Sequence, residues 1–114
     1  MFNKFQILDD KINILSKPED ECRYCKLLFL LLKDLEITDI NVCKTSNLTS
    51  NEYNELITDI KKKTNHNSFP FIFIGKKFIG GYTDFENLVQ YDSFSLFDLL
   101  SKNNIKYNDE ICYL

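Results

Sequence analysis

Apolar residues in this chain recur at two spacings, one typical of helices and the other typical of strands. Four of them near the N-terminus follow a near-helical spacing, so residues 2–10 are predicted to form a short first helix. Residues 11–15 then alternate polar and apolar side chains, which predicts a buried strand. The four apolar residues of the first pattern are Phe2, Phe5, Ile7 and Leu8.

A polar loop separates this strand from a longer helical pattern. Pro18 and the three acidic residues after it interrupt the strand. Beyond the loop, five apolar residues follow one another at intervals of three and four, which predicts an amphipathic helix over residues 22–36. Residues 37–44 suit a second strand. The apolar positions of the helix are Cys25, Leu28, Phe29, Leu32 and Leu35.

The next helix is marked at both ends. Thr49 is followed three residues later by Glu52, a pair typical of a capping box at a helix start. We expect this helix to end near Asn65, because asparagine tolerates the left-handed conformation used at helix ends. The basic cluster at residues 61–63 is then a solvated helix end.

A β-hairpin is predicted after that helix. Residues 70–74 are too apolar for a loop, and residues 75–77 can turn the chain into a second strand at residues 78–79. Thr83 and Glu86 suggest a second capping box, opening a helix that runs through Leu88.

The C-terminal part carries one more amphipathic segment, which ends near Lys102. Residues 103–114 are polar and receive no assignment. Two strands joined by a helical crossover, then a helix and a hairpin, predict an α/β fold with a mixed four-stranded sheet flanked by helices. At 114 residues and 44% apolar, the chain is expected to form a single domain over residues 1–114.

Charge and hydropathy exclude several classes of partner. The net charge of −3 provides no overall positive field, so we expect no nucleic-acid partner. The N-terminus has no continuous apolar stretch of the kind found in signal peptides, which predicts a cytoplasmic protein. The longest apolar run has six residues, against roughly eighteen for a membrane span, so no membrane partner is expected.

The chemistry is expected at one pair of cysteines. Cys22 and Cys25 form a C-x-x-C motif at a strand-to-helix junction, which is typical of a thiol-disulfide redox site. Unpaired N–H groups and the helix dipole stabilise a thiolate at such a position, so Cys22 is the expected nucleophile. Cys25, one turn further on, can attack a mixed disulfide formed at Cys22. Arg23 favours the thiolate, and the acidic residues 19–21 oppose it.

A zinc site is the alternative interpretation of this pair. Structural zinc takes four Cys or His ligands, often as two close pairs. The other two cysteines, Cys43 and Cys112, stand alone, and His66 is the only histidine. No metal is therefore expected. Cys43 suits a small core residue, and Cys112 suits a free thiol in the polar tail.

Four motifs together resemble the dithiol glutaredoxin family. They appear in the family's order over residues 11–90, and the short leading helix and C-terminal extension are similar to the small glutaredoxins of large DNA viruses. The resemblance implies a thioredoxin fold. The motifs are Leu15-Ser16-Lys17, Cys22-Arg23-Tyr24-Cys25, Ser68-Phe69-Pro70 and Gly80-Gly81-Tyr82-Thr83-Asp84.

The resemblance also implies a glutathione site beside the cysteines. Phe69 and Pro70 would be joined by a cis peptide bond, and the main chain of Phe69 would pair with the cysteinyl unit of glutathione. Gly81 and the helix start would receive its γ-glutamyl group, and Lys17 its glycyl carboxylate. Taken singly, these residues could equally be an ordinary turn, a helix cap and an exposed lysine. The implied glutathione-binding residues are Lys17, Tyr24, Phe69, Pro70, Gly81, Thr83 and Asp84.

The chain departs from the family pattern at several positions. Arg23 replaces the usual proline of the C-x-x-C motif, and Phe69 is bulkier than the common valine. Four residues separate Lys17 from Cys22, a longer spacing than is usual in the family. His66 and Asn67 occupy places where the family often has Gln and Arg.

These observations predict a glutathione-dependent thiol-disulfide oxidoreductase with catalytic Cys22 and Cys25. It would act as a monomer on disulfide-containing or glutathionylated proteins, with glutathione as reductant, and ribonucleotide reductase is a candidate partner by resemblance. Glutathione reductase and NADPH would regenerate the glutathione. Two alternatives stay open: a module in which Cys22 from two protomers and two glutathiones ligate a [2Fe-2S] cluster, and a redox-inert interaction domain.

Overall fold

A computed structural model describes residues 4–108 of the chain. Within this range the chain forms a four-stranded sheet with helices on both faces. The elements in chain order are β1 (Ile12–Ser16), α1 (Arg23–Asp34), β2 (Ile40–Lys44), a short 3-10 turn (Thr45–Asn47), α2 (Ser50–Thr64), β3 (Phe71–Ile74), β4 (Lys77–Gly80), α3 (Tyr82–Tyr91) and α4 (Ser93–Lys102).

The sheet is mixed, as predicted. Its strand order is β2-β1-β3-β4, with β1 parallel to β2 and β3 antiparallel to both β1 and β4. Leu15, near the end of β1, is paired with Phe71, the first residue of β3. The carboxyl end of β1 and the amino end of β3 therefore lie side by side at one edge of the sheet.

One face of the sheet, here called the aliphatic face, carries isoleucines. Side chains alternate along a strand, so every second residue of β1 and β3 points to this face. The isoleucines are fully buried against α1, α3 and α4, and burial of a side chain of this size contributes about 1.5–3 kcal/mol. The strand residues that define the aliphatic face are Ile12, Ile14, Ile72 and Ile74.

The opposite face, here called the aromatic face, is covered by α2 and by the N-terminal segment. Leu15, Phe71 and Phe73 belong to it and pack with Leu56 and Ile60 of α2. The rings contact each other edge to face, and the centroids of Phe73 and Phe78 lie 5.1 Å apart. Helix α2 therefore packs on the opposite face of the sheet from α1, the helix that carries Cys25.

Both predicted ends of α2 are confirmed. The hydroxyl of Thr49 accepts from the N–H of Glu52 at 3.2 Å, and the Glu52 carboxylate accepts from the N–H of Thr49 at 2.9 Å. These reciprocal bonds form the predicted capping box. Asn65 follows the helix with φ 56°, the left-handed conformation that was expected there.

The predicted first helix at residues 2–10 is wrong over the part that the structure describes. Residues 4–10 are irregular, and Phe5 packs into the aromatic face. The side chain of Asn13, which is fully buried, binds both the N–H and the carbonyl of Leu8 at 3.0 Å. These contacts satisfy backbone groups that a helix would have paired internally, so tertiary packing overrides the local spacing.

Two smaller boundaries also differ from the predictions. The strand expected from residue 37 begins at Ile40, because the N–H of Ile37 still bonds to the carbonyl of Leu32 and finishes α1. The capping box expected at Thr83 and Glu86 is wrong, since the N-cap of α3 is Gly81, two residues before Thr83, and the helix begins at Tyr82. Among residues 4–108, no helix combines the length and the hydropathy that crossing a bilayer requires.

Candidate active site

Cys22 lies at the start of α1, at the sheet edge where β1 ends and β3 begins. It is the N-cap residue, with an extended backbone (φ −140°, ψ 103°) that directs its side chain toward the first turn of the helix. Its sulfur accepts a hydrogen bond from the backbone N–H of Cys25 at 3.2 Å. The side chain is partly exposed, so the sulfur has both a donor from the helix and access to solvent.

Cys25 is placed differently, although only one turn of helix separates the two thiols. Its side chain is fully buried. Burial, and then its hydrogen bond to Cys22, raises the pKa of Cys25 to about 11, while the Ser16 hydroxyl and the Lys17 backbone act in the opposite direction. Cys25 is therefore protonated at neutral pH, and the two sulfurs are chemically distinct. Both are free thiols here.

The Phe69–Pro70 peptide bond is cis, as the resemblance implied. Pro70 directly precedes β3 and is buried, while Phe69 is half-buried. Because Phe71 is paired with Leu15, this loop meets the sheet beside Ser16, whose hydroxyl contacts the Cys25 thiol. The loop and the two cysteines thus occupy the same edge.

Gly81 brings the amino end of α3 to the same place. The register pairs Ile72 with Gly80, so the end of β4 lies next to the start of β3. A Cβ built on Gly81 would lie 3.5 Å from the carbonyl oxygen of Pro70 and 3.1 Å from the ring of His66. The distance to Pro70 is an ordinary contact, whereas the His66 ring would have to move by a few tenths of an ångström to admit a Cβ.

Asp84 caps the amino end of α3 by accepting a hydrogen bond from Gly81. Its Oδ2 atom accepts from the N–H of Gly81 at 2.9 Å. Glu86, which the sequence pattern assigned to a cap with Thr83, instead accepts from the Tyr82 hydroxyl at 2.8 Å. Thr83 is exposed in the first turn, and no hydrogen bond of its hydroxyl occurs among residues 4–108.

Two aromatic contacts connect the remaining candidate residues. The Lys17 ammonium lies 5.3 Å from the centroid of the Phe69 ring, a cation–π geometry. The Tyr24 ring, which is 52% exposed, lies 6.1 Å from the Tyr82 ring. The structure thus groups Lys17 with Phe69, Gly81 with Pro70 and Asp84, and Tyr24 with Tyr82 around the amino end of α1.

Three residues at this edge were not assigned a role from the sequence. Ser16 contacts the Cys25 thiol, Tyr82 faces Tyr24, and the His66 ring packs on Phe71 at 5.1 Å and beside Gly81. Ser16 could have been found, because a polar residue that ends a buried strand next to a C-x-x-C loop must lie at that edge of the sheet. Nothing in the pattern indicated the contact of His66 with Gly81.

The third described cysteine, Cys43, packs against the aromatic face of the sheet. Cys43 on β2 is half-buried, and burial raises the pKa of its thiol. Its sulfur lies 3.7 Å from the carbonyl oxygen of Lys4. Cys112 lies outside the described residues. Within residues 4–108, no three His, Cys, Asp or Glu side chains are grouped so as to hold a metal ion.

The mixed sheet, the thiol at a helix start and the adjacent cis-proline define a thiol-disulfide oxidoreductase with the thioredoxin fold. Glutaredoxin-1 of Gallus gallus is 28% identical over 96 residues, an alignment that covers 78% of this chain and 83% of the relative. A dithiolic glutaredoxin of Trypanosoma brucei brucei is 28% identical with a TM-score of 0.64, covering 86% of this chain and 90% of that one. The chain is thus similar to the glutaredoxins in sequence and in fold, and it is a thiol-disulfide oxidoreductase of the glutaredoxin type.

Other solved structures support the fold alone. A buckwheat glutaredoxin in complex with glutathione is 18% identical and superposes with a TM-score of 0.67, covering 84% of this chain and 83% of the other. No family model matches the chain. The predicted thioredoxin fold is confirmed, and the similarity to viral glutaredoxins stays a prediction.

Proposed function

We propose that this protein reduces disulfides with glutathione as its reductant, using Cys22 as the nucleophile and Cys25 as the resolving thiol. The observation that carries the proposal is the contrast between the two sulfurs. Cys22 is accessible and accepts a helix N–H at 3.2 Å, while Cys25 is buried and protonated at neutral pH. An accessible thiolate can attack a large substrate, whereas a buried thiol reacts only with a partner already held beside it.

The reaction consists of two exchanges. The Cys22 thiolate attacks the glutathione sulfur of a glutathionylated protein, a bond forms between the two sulfurs, and the protein leaves as a thiolate that takes up a proton. A second glutathione thiolate then attacks the sulfur of bound glutathione. Oxidised glutathione leaves, and Cys22 is released as a thiolate. One reduced glutathione is oxidised in each cycle, and the oxidised glutathione that leaves contains a second unit that the substrate supplied.

Protein disulfides take a different second step. Cys22 forms a mixed disulfide with one substrate sulfur, and Cys25 loses its proton and attacks the Cys22 sulfur. The substrate leaves fully reduced, and an internal Cys22–Cys25 disulfide remains, which two further glutathiones reduce. Because burial raises the pKa of Cys25 to about 11, this step starts from a protonated thiol and is expected to be the slower route at neutral pH.

The glutathione site is proposed along the edge that carries Pro70 and Gly81. Phe69 lies outside the ladder, which begins at Phe71, so its main chain is available to pair with the cysteinyl unit. The amino end of α3 offers first-turn N–H groups to the γ-glutamyl carboxylate. Asp84 is proposed to receive the amino group through the carboxylate oxygen that does not cap Gly81. A buckwheat glutaredoxin of the same fold forms a complex with glutathione, which supports glutathione as the proposed ligand.

The cellular setting is also a proposal. Glutathionylated or disulfide-containing proteins are the proposed substrates, with ribonucleotide reductase as one candidate, and the protein would act as a cytoplasmic monomer. Glutathione reductase and NADPH would return oxidised glutathione to its reduced form.

The test is reduction of a mixed disulfide between glutathione and a short cysteine peptide, coupled to glutathione reductase. Cys22→Ser should lower kcat/KM by at least about 10³-fold, because the nucleophile is lost. Cys43→Ser is the matched control and should keep wild-type activity. Retention of activity by Cys22→Ser would refute the proposal.

Alkylation separates an active thiol from an inert domain. At neutral pH, iodoacetamide and peptide mapping should label Cys22 in the reduced protein and leave Cys25 unlabelled. A Cys22 that reacts no faster than Cys25 would instead indicate a redox-inert protein. The two thiols act as internal controls for each other, since they share one sample and one reagent.

A further inference from the structure

Phe69 directly precedes the cis-proline, and its side chain contacts Lys17, another candidate glutathione-binding residue. The Lys17 ammonium lies 5.3 Å from the centroid of its ring. Lys17 itself sits in the loop after β1, four residues before Cys22, with a long side chain that could take many rotamers. An attractive contact with a fixed ring restricts those rotamers.

The Phe69 ring is itself held in place from behind. It packs edge to face on Phe71, with 5.3 Å between centroids, and Phe71 is fully buried at the start of β3. Phe71 is contacted in turn by the His66 ring at 5.1 Å. The ring below Lys17 is therefore anchored to the aromatic face of the sheet, and its open side is turned to the ammonium.

The Lys17 ammonium has no carboxylate partner along the described stretch of chain. No Asp or Glu of residues 4–108 lies within salt-bridge distance of it. Lys17 also lines an open groove of about 470 Å³, together with Pro18, Glu21, Thr49 and Tyr53 among others. Water and a ligand can therefore reach the ammonium, and Glu21 is the only acidic side chain in the lining of that groove.

We propose that Phe69 is a positioning residue, which holds the Lys17 ammonium beside Pro70 so that the site selects a free carboxylate one residue after the ligand's cysteine. The inference rests on the proposed function. A valine at position 69 would offer no ring face, and Lys17 would move freely over the groove. The selected ligand is thus glutathione with its free glycyl carboxylate, in preference to a chain that continues past that residue as an ester or amide.

The experiment compares two substrates that differ only at that carboxylate. Both are mixed disulfides of one short cysteine peptide, with glutathione in the first and with its glycyl ethyl ester in the second. The leaving peptide and the reductant are the same, so the ratio of the two kcat/KM values reports recognition of the carboxylate. Wild type should prefer the acid about two- to fivefold, the range expected for an exposed charge pair.

Substitutions of Phe69 should change this ratio according to ring character. Phe69→Leu should lower it to about one, because the size is nearly kept and the ring face is lost. Phe69→Tyr should keep the wild-type ratio. Lys17→Met should also give about one, and combining it with Phe69→Leu should lower the ratio no further.

A merely structural role for Phe69 would lower both kcat/KM values together and leave their ratio unchanged. A Phe69→Leu protein with the wild-type ratio overturns the inference, as does a wild type without preference for the acid. If wild type reduces neither substrate while both cysteines react normally, the proposed function fails instead, and the inference fails with it.

A measurement on the ligand-free protein covers the case in which Phe69→Leu folds poorly. Protons above an aromatic ring are shifted upfield, so the ε-methylene protons of Lys17 should resonate upfield of those of the other lysines. Lys17→Met assigns that signal by its loss, and the folded Phe69→Tyr protein should retain it. An unshifted Lys17 signal in wild type overturns the inference.

Discussion

The backbone N–H of Cys25 donates to the sulfur of Cys22 across 3.2 Å, which joins the buried thiol to the exposed one through the first turn of α1. The same turn carries both the group that stabilises the attacking sulfur and the thiol that would displace it. Substrate-sized molecules reach only the first sulfur. Under the proposed function, this arrangement means that Cys22 reacts first and Cys25 second.

Cys25→Ser should affect the reduction of two kinds of substrate differently. Reduction of a glutathione mixed disulfide needs only Cys22 and a second glutathione, so its kcat should stay within about twofold of wild type. Reduction of an intramolecular protein disulfide should fall by at least about tenfold, because the internal second attack is lost. Steady-state rates on the two substrates check this. Equal losses on both would contradict the assigned order of the two thiols.

The stability of the reduced protein should depend on alkaline pH through Cys25. Its pKa is raised from 9.0 to about 11 by folding, mainly through burial. Between these values the unfolded chain has lost a proton that the folded protein keeps, so the free energy of unfolding decreases as pH rises. The stabilisation is complete below pH 9 and decreases by about 2–3 kcal/mol by pH 11.

Urea denaturation of wild type and Cys25→Ala under reducing conditions measures this effect. The difference between the two proteins isolates Cys25, because Tyr82, whose pKa burial raises to about 12, is present in both. The difference in unfolding free energy should be constant from pH 7 to 9 and then decrease. A difference that stays constant to pH 11 would contradict the prediction.

Asn13→Ala should destabilise the fold strongly. Its amide accepts from the Leu8 N–H and donates to the carbonyls of Leu8 and Gly75, at 3.0 to 3.1 Å, inside the protein. Removal leaves the buried Gly75 carbonyl and the partly buried Leu8 groups without that partner, which costs about 2–4 kcal/mol. Asn41→Ala, at a less buried neighbour that donates to Asn13, is the control and should cost about 1 kcal/mol or less. Thermal unfolding that ranks the two variants equally would rule out the central role of Asn13.

Gly80→Ala should cost more stability than Gly81→Ala. Gly80 has φ +128°, which disfavours any residue with a Cβ, and a Cβ there would overlap the Asp84 carboxylate. We expect a loss of about 2–3 kcal/mol. Gly81 has an ordinary φ of −99°, and its Cβ would meet the edge of the His66 ring at 3.1 Å. Urea midpoints of the two variants test the order, and a Gly81→Ala protein that is the less stable one would contradict it.

The predictions made from sequence succeeded where a local rule and the tertiary environment agreed. The capping box at Thr49 and the left-handed Asn65 depend on neighbours within a few residues, and both are confirmed. The strand and helix patterns between residues 11 and 102 hold for the same reason, since each element buries the face that its own spacing creates. The placement of Cys22 as an N-cap also follows from local pattern.

Predictions failed where distant contacts decided the conformation. The segment before β1 has helical spacing, yet Asn13 and the aromatic face pair with it as an irregular chain. At α3, two overlapping capping patterns compete, and the one using Asp84 wins because Gly80 and Gly81 set the start of the helix. The contacts of Lys17 with Phe69, and of Tyr24 with Tyr82, join residues far apart in the chain, which a single sequence does not reveal.

The alternation of Phe and Ile along β3 constrains how this chain can change in length. Phe71 and Phe73 face α2, and Ile72 and Ile74 face the cysteine helix. An insertion or deletion of a single residue that moved β3 by one position would exchange these two sets and turn bulky rings toward the layer under Cys25. Length variation between Asn65 and Pro70 is therefore expected to be absorbed in the loop itself, or to shift the strand by two residues at a time.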